Sequence, residues 1–158
     1  MTGERDGSDS PDAPDPRDPP ADVTVELATP ADRLDVLRIL DAAMLETDAD
    51  VVDDRIDAGD VLVARSTRTG GVVGALVAVR PDPARLHVDA VAVRRARRGR
   101  GIGSALVAAA VDRGASDPAV DAVTAAFDAE LTAFYEALGL SVAVDDEGSG
   151  RRVGRRSV

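Results

Sequence analysis

The chain contains no cysteine, no lysine and no tryptophan, a single histidine, and only 2% aromatic residues. Without cysteine there are no disulfides and no thiolate zinc sites, and one histidine rules out a histidine-rich metal centre. So few aromatics leave no series of stacking platforms for single-stranded nucleic acid. No apolar run approaches the roughly 18–20 residues of a membrane-spanning helix. The acidic, proline-rich first segment lacks the basic-then-apolar order of a signal peptide. The expected partners therefore include no metal, no nucleic acid and no membrane, and the expected location is the cytoplasm.

What is present fits one domain. The 158 residues can bury a sizeable core but not comfortably two, and the 44% hydrophobic content is mostly Ala, Val and Leu. The net charge is −10 and every basic side chain except His87 is an arginine. Acidic, lysine-free surfaces suit concentrated intracellular salt, where screening removes the self-repulsion, so a halophilic protein is expected. A coding bias toward Ala, Arg, Asp, Gly and Val gives the same composition.

Residues 1–21 are rich in Pro, Asp, Ser and Gly and are expected to form a disordered tail ahead of a domain spanning 22–158. Val23 to Leu27 reads as a strand. Thr29-Pro30 starts a helix with the apolar stripe Leu34, Leu37, Ile39, Leu40 and Met44. A second helix runs from Asp48 to Ala58 and closes at Gly59. Strands from Asp60 to Ser66 and Val72 to Arg80 flank the turn Thr69-Gly70-Gly71, and Pro81-Asp82-Pro83 precedes a strand from Arg85 to Val93. A helix ends near Ala115, a strand follows from Val120 to Ala126, then a helix to about Leu138 and a strand from Leu140 to Val144. The basic segment after it, with Arg151, Arg152, Arg155 and Arg156, reads as a solvated edge strand or tail. The order is mixed α/β.

The densest signal is Arg97-Arg98-Gly99-Arg100-Gly101-Ile102-Gly103-Ser104, set between a strand and a helix. A glycine turn at a helix N-terminus offers unpaired backbone N–H groups and a favourable dipole, which suits a phosphate or diphosphate. Arg94, Arg95, Arg97, Arg98 and Arg100 surround it. A Walker loop is excluded for want of lysine. A dinucleotide fingerprint fails because Leu106 stands where its last glycine belongs.

The remaining spacing, Arg98-x-x-Gly101-x-Gly103 after a strand ending at Val93, resembles the signature of the GNAT superfamily of acyl-CoA-dependent N-acetyltransferases. Downstream, Phe134-Tyr135-Glu136-Ala137-Leu138-Gly139-Leu140 is similar to that family's aromatic-Tyr-Glu-x-x-Gly-Phe segment, with Leu140 in place of Phe. The resemblance covers roughly residues 22–145. It implies a largely antiparallel central sheet, splayed open and flanked by helices, and acetyl-CoA as co-substrate with no metal. It also implies direct transfer to a primary amine, on a small molecule or a peptide, in a ternary complex; a homodimer is one open oligomeric state.

By the same resemblance, the diphosphate falls to backbone amides of Arg98, Gly99, Arg100, Gly101, Ile102, Gly103 and Ser104, and the pantothenyl arm to Val91, Ala92 and Val93. Tyr135 stands at the general-acid position, where a phenol with pKa near 10 donates a proton without ionising at neutral pH. His87 lies on the strand where some members carry a glutamate base, with Asp89 expected on the same face. Asp128 replaces a cofactor-contacting Asn and otherwise reads as an N-cap. The competing readings are a solvated tyrosine, a surface histidine, and for the whole chain a non-catalytic acyl-CoA-binding or regulatory module. An interaction protein working through its acidic tail is a third.

Overall fold

The structure, a computed structural model, describes residues 18–45, 48–144 and 151–158. Most of the expected disordered tail, and the acidic turn at 145–150, lie outside the described residues.

The elements are β1 (Val23–Leu27), a 3-10 turn (Pro30–Asp32), α1 (Arg33–Ala42), α2 (Ala49–Asp57), β2 (Val61–Ser66), β3 (Val72–Asp82) and β4 (Arg85–Val93). A short 3-10 turn (Arg95–Arg97) leads to α3 (Ile102–Ser116), β5 (Ala122–Asp128), a further turn (Ala129–Leu131), α4 (Thr132–Ala137), β6 (Ser141–Val144) and β7 (Arg151–Ser157). Local chemistry sets several boundaries. Pro30 opens the first turn, where the Asp32 carboxylate accepts the Thr29 N–H (3.0 Å). The Asp48 side chain caps α2 by accepting the Asp50 N–H.

Seven strands form one sheet in the order β1-β2-β3-β4-β5-β7-β6. Every pairing is antiparallel except β4 with β5, which are joined through α3 as a parallel crossover requires. Two apolar clusters sandwich the sheet. One gathers Ile102, Leu106 and Val111 of α3 against Leu76, Leu86, Val123 and Phe127. The other gathers Val36, Ile39 and Leu40 of α1 and Val52 and Ile56 of α2 against Val61, Val63, Val77 and Ala90. β3 is covered on both faces, hence its unbroken apolar run from Val72 to Ala78.

β4 and β5 pair only from Arg85↔Ala122 to Val88↔Ala125. Beyond Val88 the two strands part, so the edge of Asp89–Val93 that faces β5 has no strand partner. A bulge contributes: β4 slips by one residue against Val77/Ala78 and leaves Asp89 unmatched.

Three expectations need correction. The stripe on α1 is Val36, Ile39 and Leu40; Leu34 is 53% exposed and Met44 is 89% exposed, because α1 ends at Ala42 and Met44 turns away with φ +61°. β3 continues through Pro81 to Asp82, so the reversal falls on Pro83 and Ala84. The basic C-terminal segment is neither edge nor tail: β7 lies between β5 and β6, with Gly154 packed under Leu140 and Phe127.

Candidate active site

The glycine turn is built as a backbone cradle. Gly99 (φ +78°) and Gly101 (φ +86°) both occupy the left-handed region, which side-chain-bearing residues resist, and Gly101 is the N-cap of α3. Among the described residues, no hydrogen bond beyond the helix's own takes the N–H groups of residues 99–104. The space beside the two glycines is open, since a Cβ added at Gly99 or Gly101 would meet nothing within 4 Å. The loop is held from behind: the Arg94 N–H and Nε donate to the carbonyls of Val73 and Val72 (both 2.8 Å), and Arg98 Nε to that of Val93 (3.1 Å).

The cleft in front of this cradle, about 420 Å³, is walled by Val93, Arg97, Arg98, Gly99, Gly101, Ile102, Gly103, Ser104 and Phe134. It thus collects most of the residues expected to meet a diphosphate. Arg100 is the exception: it is exposed and does not line the cleft. Ala92 is buried in the α1–α2 cluster, whereas Val91 and Val93 pack toward α3. The donor set, the open space and the arginines suit the diphosphate of a coenzyme A.

A second cleft of about 210 Å³ lies where β4 and β5 part. Val88 to Val91 form one wall, Ala126 to Asp128 the other, with Tyr135, Leu131, Leu45 and Arg151 around them. Tyr135 is 6% exposed, stacked on Phe127 (4.0 Å, 18°) and edge-on to Phe134 (4.9 Å, 84°). The chain's three aromatic rings therefore form one cluster between the two clefts. Burial raises the Tyr135 phenol above its ordinary value, so it is protonated at neutral pH. Asp128 supplies no side-chain cap; its exposed carboxylate instead accepts from Arg151 Nη1 (3.2 Å) across the cleft mouth.

His87 stands below the opening, where β4 and β5 are still paired. Its Nδ1 lies 2.8 Å from Thr124 Oγ1, its register partner, and it lines none of the clefts described here. Burial lowers its pKa, opposed by Asp89 and reinforced by Arg85. The expectation that Asp89 shares its face assumed unbroken alternation. The bulge at Asp89 interrupts it, and Asp89 opens into the cleft while His87 does not.

Sequence reasoning overlooked Phe134, Leu45, Phe127, Leu131 and Arg151 as cleft walls. Phe134 had a usable signal, being one of three aromatics and adjacent to Tyr135. Among the described residues no group of three or more His, Cys, Asp or Glu is placed to hold a metal ion. No helix among them is long and apolar enough to cross a membrane.

A comparison with curated protein sequences returns no significant match. Solved structures do resemble it. Ard1 from Thermoplasma volcanium is 20% identical, covering 87% of this chain and 99% of its own, with a TM-score of 0.72. Naa50 from Arabidopsis thaliana, in complex with the bisubstrate analogue CoA-Ac-MVNAL, is 19% identical over 87% of this chain and 100% of its own (TM-score 0.69). N-acetylglutamate synthase from Neisseria gonorrhoeae, complexed with coenzyme A and N-acetyl-glutamate, is 15% identical over 87% of this chain and 35% of its own (TM-score 0.68). The model of the acetyltransferase (GNAT) family matches residues 32–140. With the parted sheet and the glycine cradle in place, the match settles the affiliation: this chain belongs to the GNAT acetyltransferase family.

Proposed function

We propose that the chain transfers an acetyl group from acetyl-CoA to a primary amine by direct attack within a ternary complex. One observation carries this reading. An unpaired strand edge at 89–93 connects the cradle of free N–H groups to the cleft that holds Tyr135.

The roles follow from position. Backbone N–H groups of Gly99 to Ser104 take the diphosphate, the Arg98 N–H being turned back to the Arg95 carbonyl (3.3 Å), aided by the α3 dipole and the Arg97 and Arg98 guanidinium groups. Val91, Ala92 and Val93 offer their free edge to the amide-bearing arm, as an added strand would. Bound there, acetyl-CoA supplies the thioester, and the narrow cleft aligns an amine against it. Tyr135, kept protonated by burial, gives its proton to the departing sulfur. His87 is neutral near pH 7 and, lying behind the cleft wall, takes the amine's proton only through water. The Arabidopsis neighbour, caught with an analogue joining CoA to a peptide, supports this pairing of substrates.

The test is free-thiol release from acetyl-CoA across a panel of amines, run at low and molar KCl because the charge of −10 suits a salt-rich cytoplasm. Calorimetry with CoA accompanies it. Release that depends on the amine supports the proposal. Tight CoA binding with no release from any amine identifies a non-catalytic acyl-CoA-binding module, a reading favoured by Asp128 being paired with Arg151.

A further inference from the structure

A third cleft, about 420 Å³, sits on the opposite side of the same turn, between α1 and the segment leaving β4. Arg38 lines it from α1, and Arg94, Arg95 and Arg98 line it from the loop. Among the described residues, none of these four arginines has a carboxylate within ion-pair distance. Among the described residues, Arg33, Arg55, Arg65, Arg80, Arg85, Arg97, Arg113 and Arg151 each meet an Asp or Glu, whereas Arg68, Arg100, Arg155 and Arg156 do not but line none of the three clefts. In a protein of net charge −10, an uncompensated group of four guanidinium ions around one hollow is a local reversal of sign. Two of the four are tethered through Nε to the carbonyls of Val72 and Val93, so their terminal nitrogens are already oriented. That geometry suits the two-pronged binding of a carboxylate or phosphate.

The cofactor does not need this cleft. Its diphosphate is provided for by the cradle, Arg97 and the shared Arg98, on the α3 side of the sheet, whereas Arg38, Arg94 and Arg95 line only the α1-side hollow. The two share just Val93 and Arg98. The acyl-transfer cleft begins at Val91, two residues back along β4, or about 7 Å at strand spacing. An anionic group held here is within reach of an amine held there.

We propose that this hollow selects acceptors carrying an oxyanion, carboxylate or phosphate, roughly 7–10 Å from the reacting amine. The inference rests on the acetyl-transfer reading above and assigns its substrate class.

The experiment has two arms. In the first, thiol release is measured for matched acceptors that differ only in charge, an amino acid or dipeptide ending in Glu against the same compound ending in Gln. The anionic member is expected to show a KM at least tenfold lower. Arg38→Gln and Arg95→Gln, both at exposed positions, should erase the preference while the Kd for CoA stays within twofold. In the second arm, inorganic phosphate is titrated into the full chain saturated with CoA. Saturable binding, weakened at least tenfold in both variants, is expected, and phosphate should compete with the anionic acceptor. Equal KM values for charged and neutral acceptors, or phosphate binding indifferent to both variants, would overturn the proposal. So would phosphate acting non-competitively, which marks a free-anion effector. Weaker binding of CoA but not of dephospho-CoA by the variants would assign the hollow to the cofactor's 3′-phosphate and end it equally. If no amine releases thiol, the acetyl-transfer reading fails, and the phosphate titration still decides the oxyanion site.

Discussion

Replacing Asp60 by alanine removes the carboxylate on which three guanidinium groups converge. Asp60 precedes β2 with its side chain 0% exposed, and Arg80 from β3 grips it through Nε (3.0 Å) and Nη2 (3.2 Å). Arg113 from α3 approaches to 3.6 Å and Arg55 from α2 to 3.8 Å, so elements from both faces of the sheet meet at one buried charge. Arg113 Nε is buried without a hydrogen bond of its own, and Asp60 is the carboxylate it faces. Deleting one partner of a buried ion pair costs about 3–5 kcal/mol, because the other charge stays behind unpaired. Here the three arginines keep 25–32% of their side-chain surface in water, which relieves part of that penalty. The lower end, about 3 kcal/mol, is therefore expected, a fall in Tm of roughly 6–12 °C for a domain of this size. Asp117 gives the contrast. It bonds Arg80 at 2.8 Å but is 32% exposed, and its loss leaves Arg80 still held by Asp60, so Asp117→Ala should cost clearly less than Asp60→Ala. Thermal and urea denaturation of both variants at one ionic strength measure the difference. Asp60→Ala within about 1 kcal/mol of the parent, or no worse than Asp117→Ala, would refute the reasoning.

Tyr135→Phe keeps the ring stack on Phe127 and removes only the hydroxyl, so turnover should fall by about 10²-fold while CoA affinity holds; equal turnover across pH would exclude the acid role. Gly101→Val forces a β-branched residue to φ +86° in front of the free N–H groups, and CoA binding measured by calorimetry should weaken at least tenfold, an unchanged affinity showing that the turn holds no diphosphate. Since the chain has one histidine, its imidazole proton signals can be followed directly by NMR, and their midpoint should lie below the ordinary 6.5. Because the folded form binds that proton less readily, His87 contributes stability above pH 6.5 that is lost as pH falls through the lowered folded value; a midpoint at or above 6.5 would contradict the burial argument.

Features that depend on neighbouring residues alone were legible in the sequence. Thr29-Pro30, Gly59, Thr69-Gly70-Gly71 and the Gly99–Gly103 turn each mark a boundary by backbone chemistry, and the structure places boundaries there. Pairing between distant segments was not legible. Arg151 to Ser157 reads as a solvated edge strand or tail, yet alternate residues face the core side through Gly154 and the arginine stems, a pattern masked by the charged ends. The bulge at Asp89 carries no Gly or Pro to announce it, so simple alternation puts Asp89 on the face of His87. Arg38 is an exposed helix residue like any other until α1 is laid against the β4–α3 loop.

The place of β7 has a consequence for how the protein comes to exist. It follows β5 and β6 in the chain but separates them in the sheet, and it carries Arg151, which lines the cleft where β4 and β5 part. A ribosome that has released residues up to Val144 has delivered both strands that flank β7, β5 and β6, with nothing to join them. Their edges wait, open to any passing strand, until the following segment inserts. The cleft beside Tyr135 is thus among the last parts to assemble, and a nascent chain stalled before Arg151 is an aggregation hazard rather than a shortened enzyme.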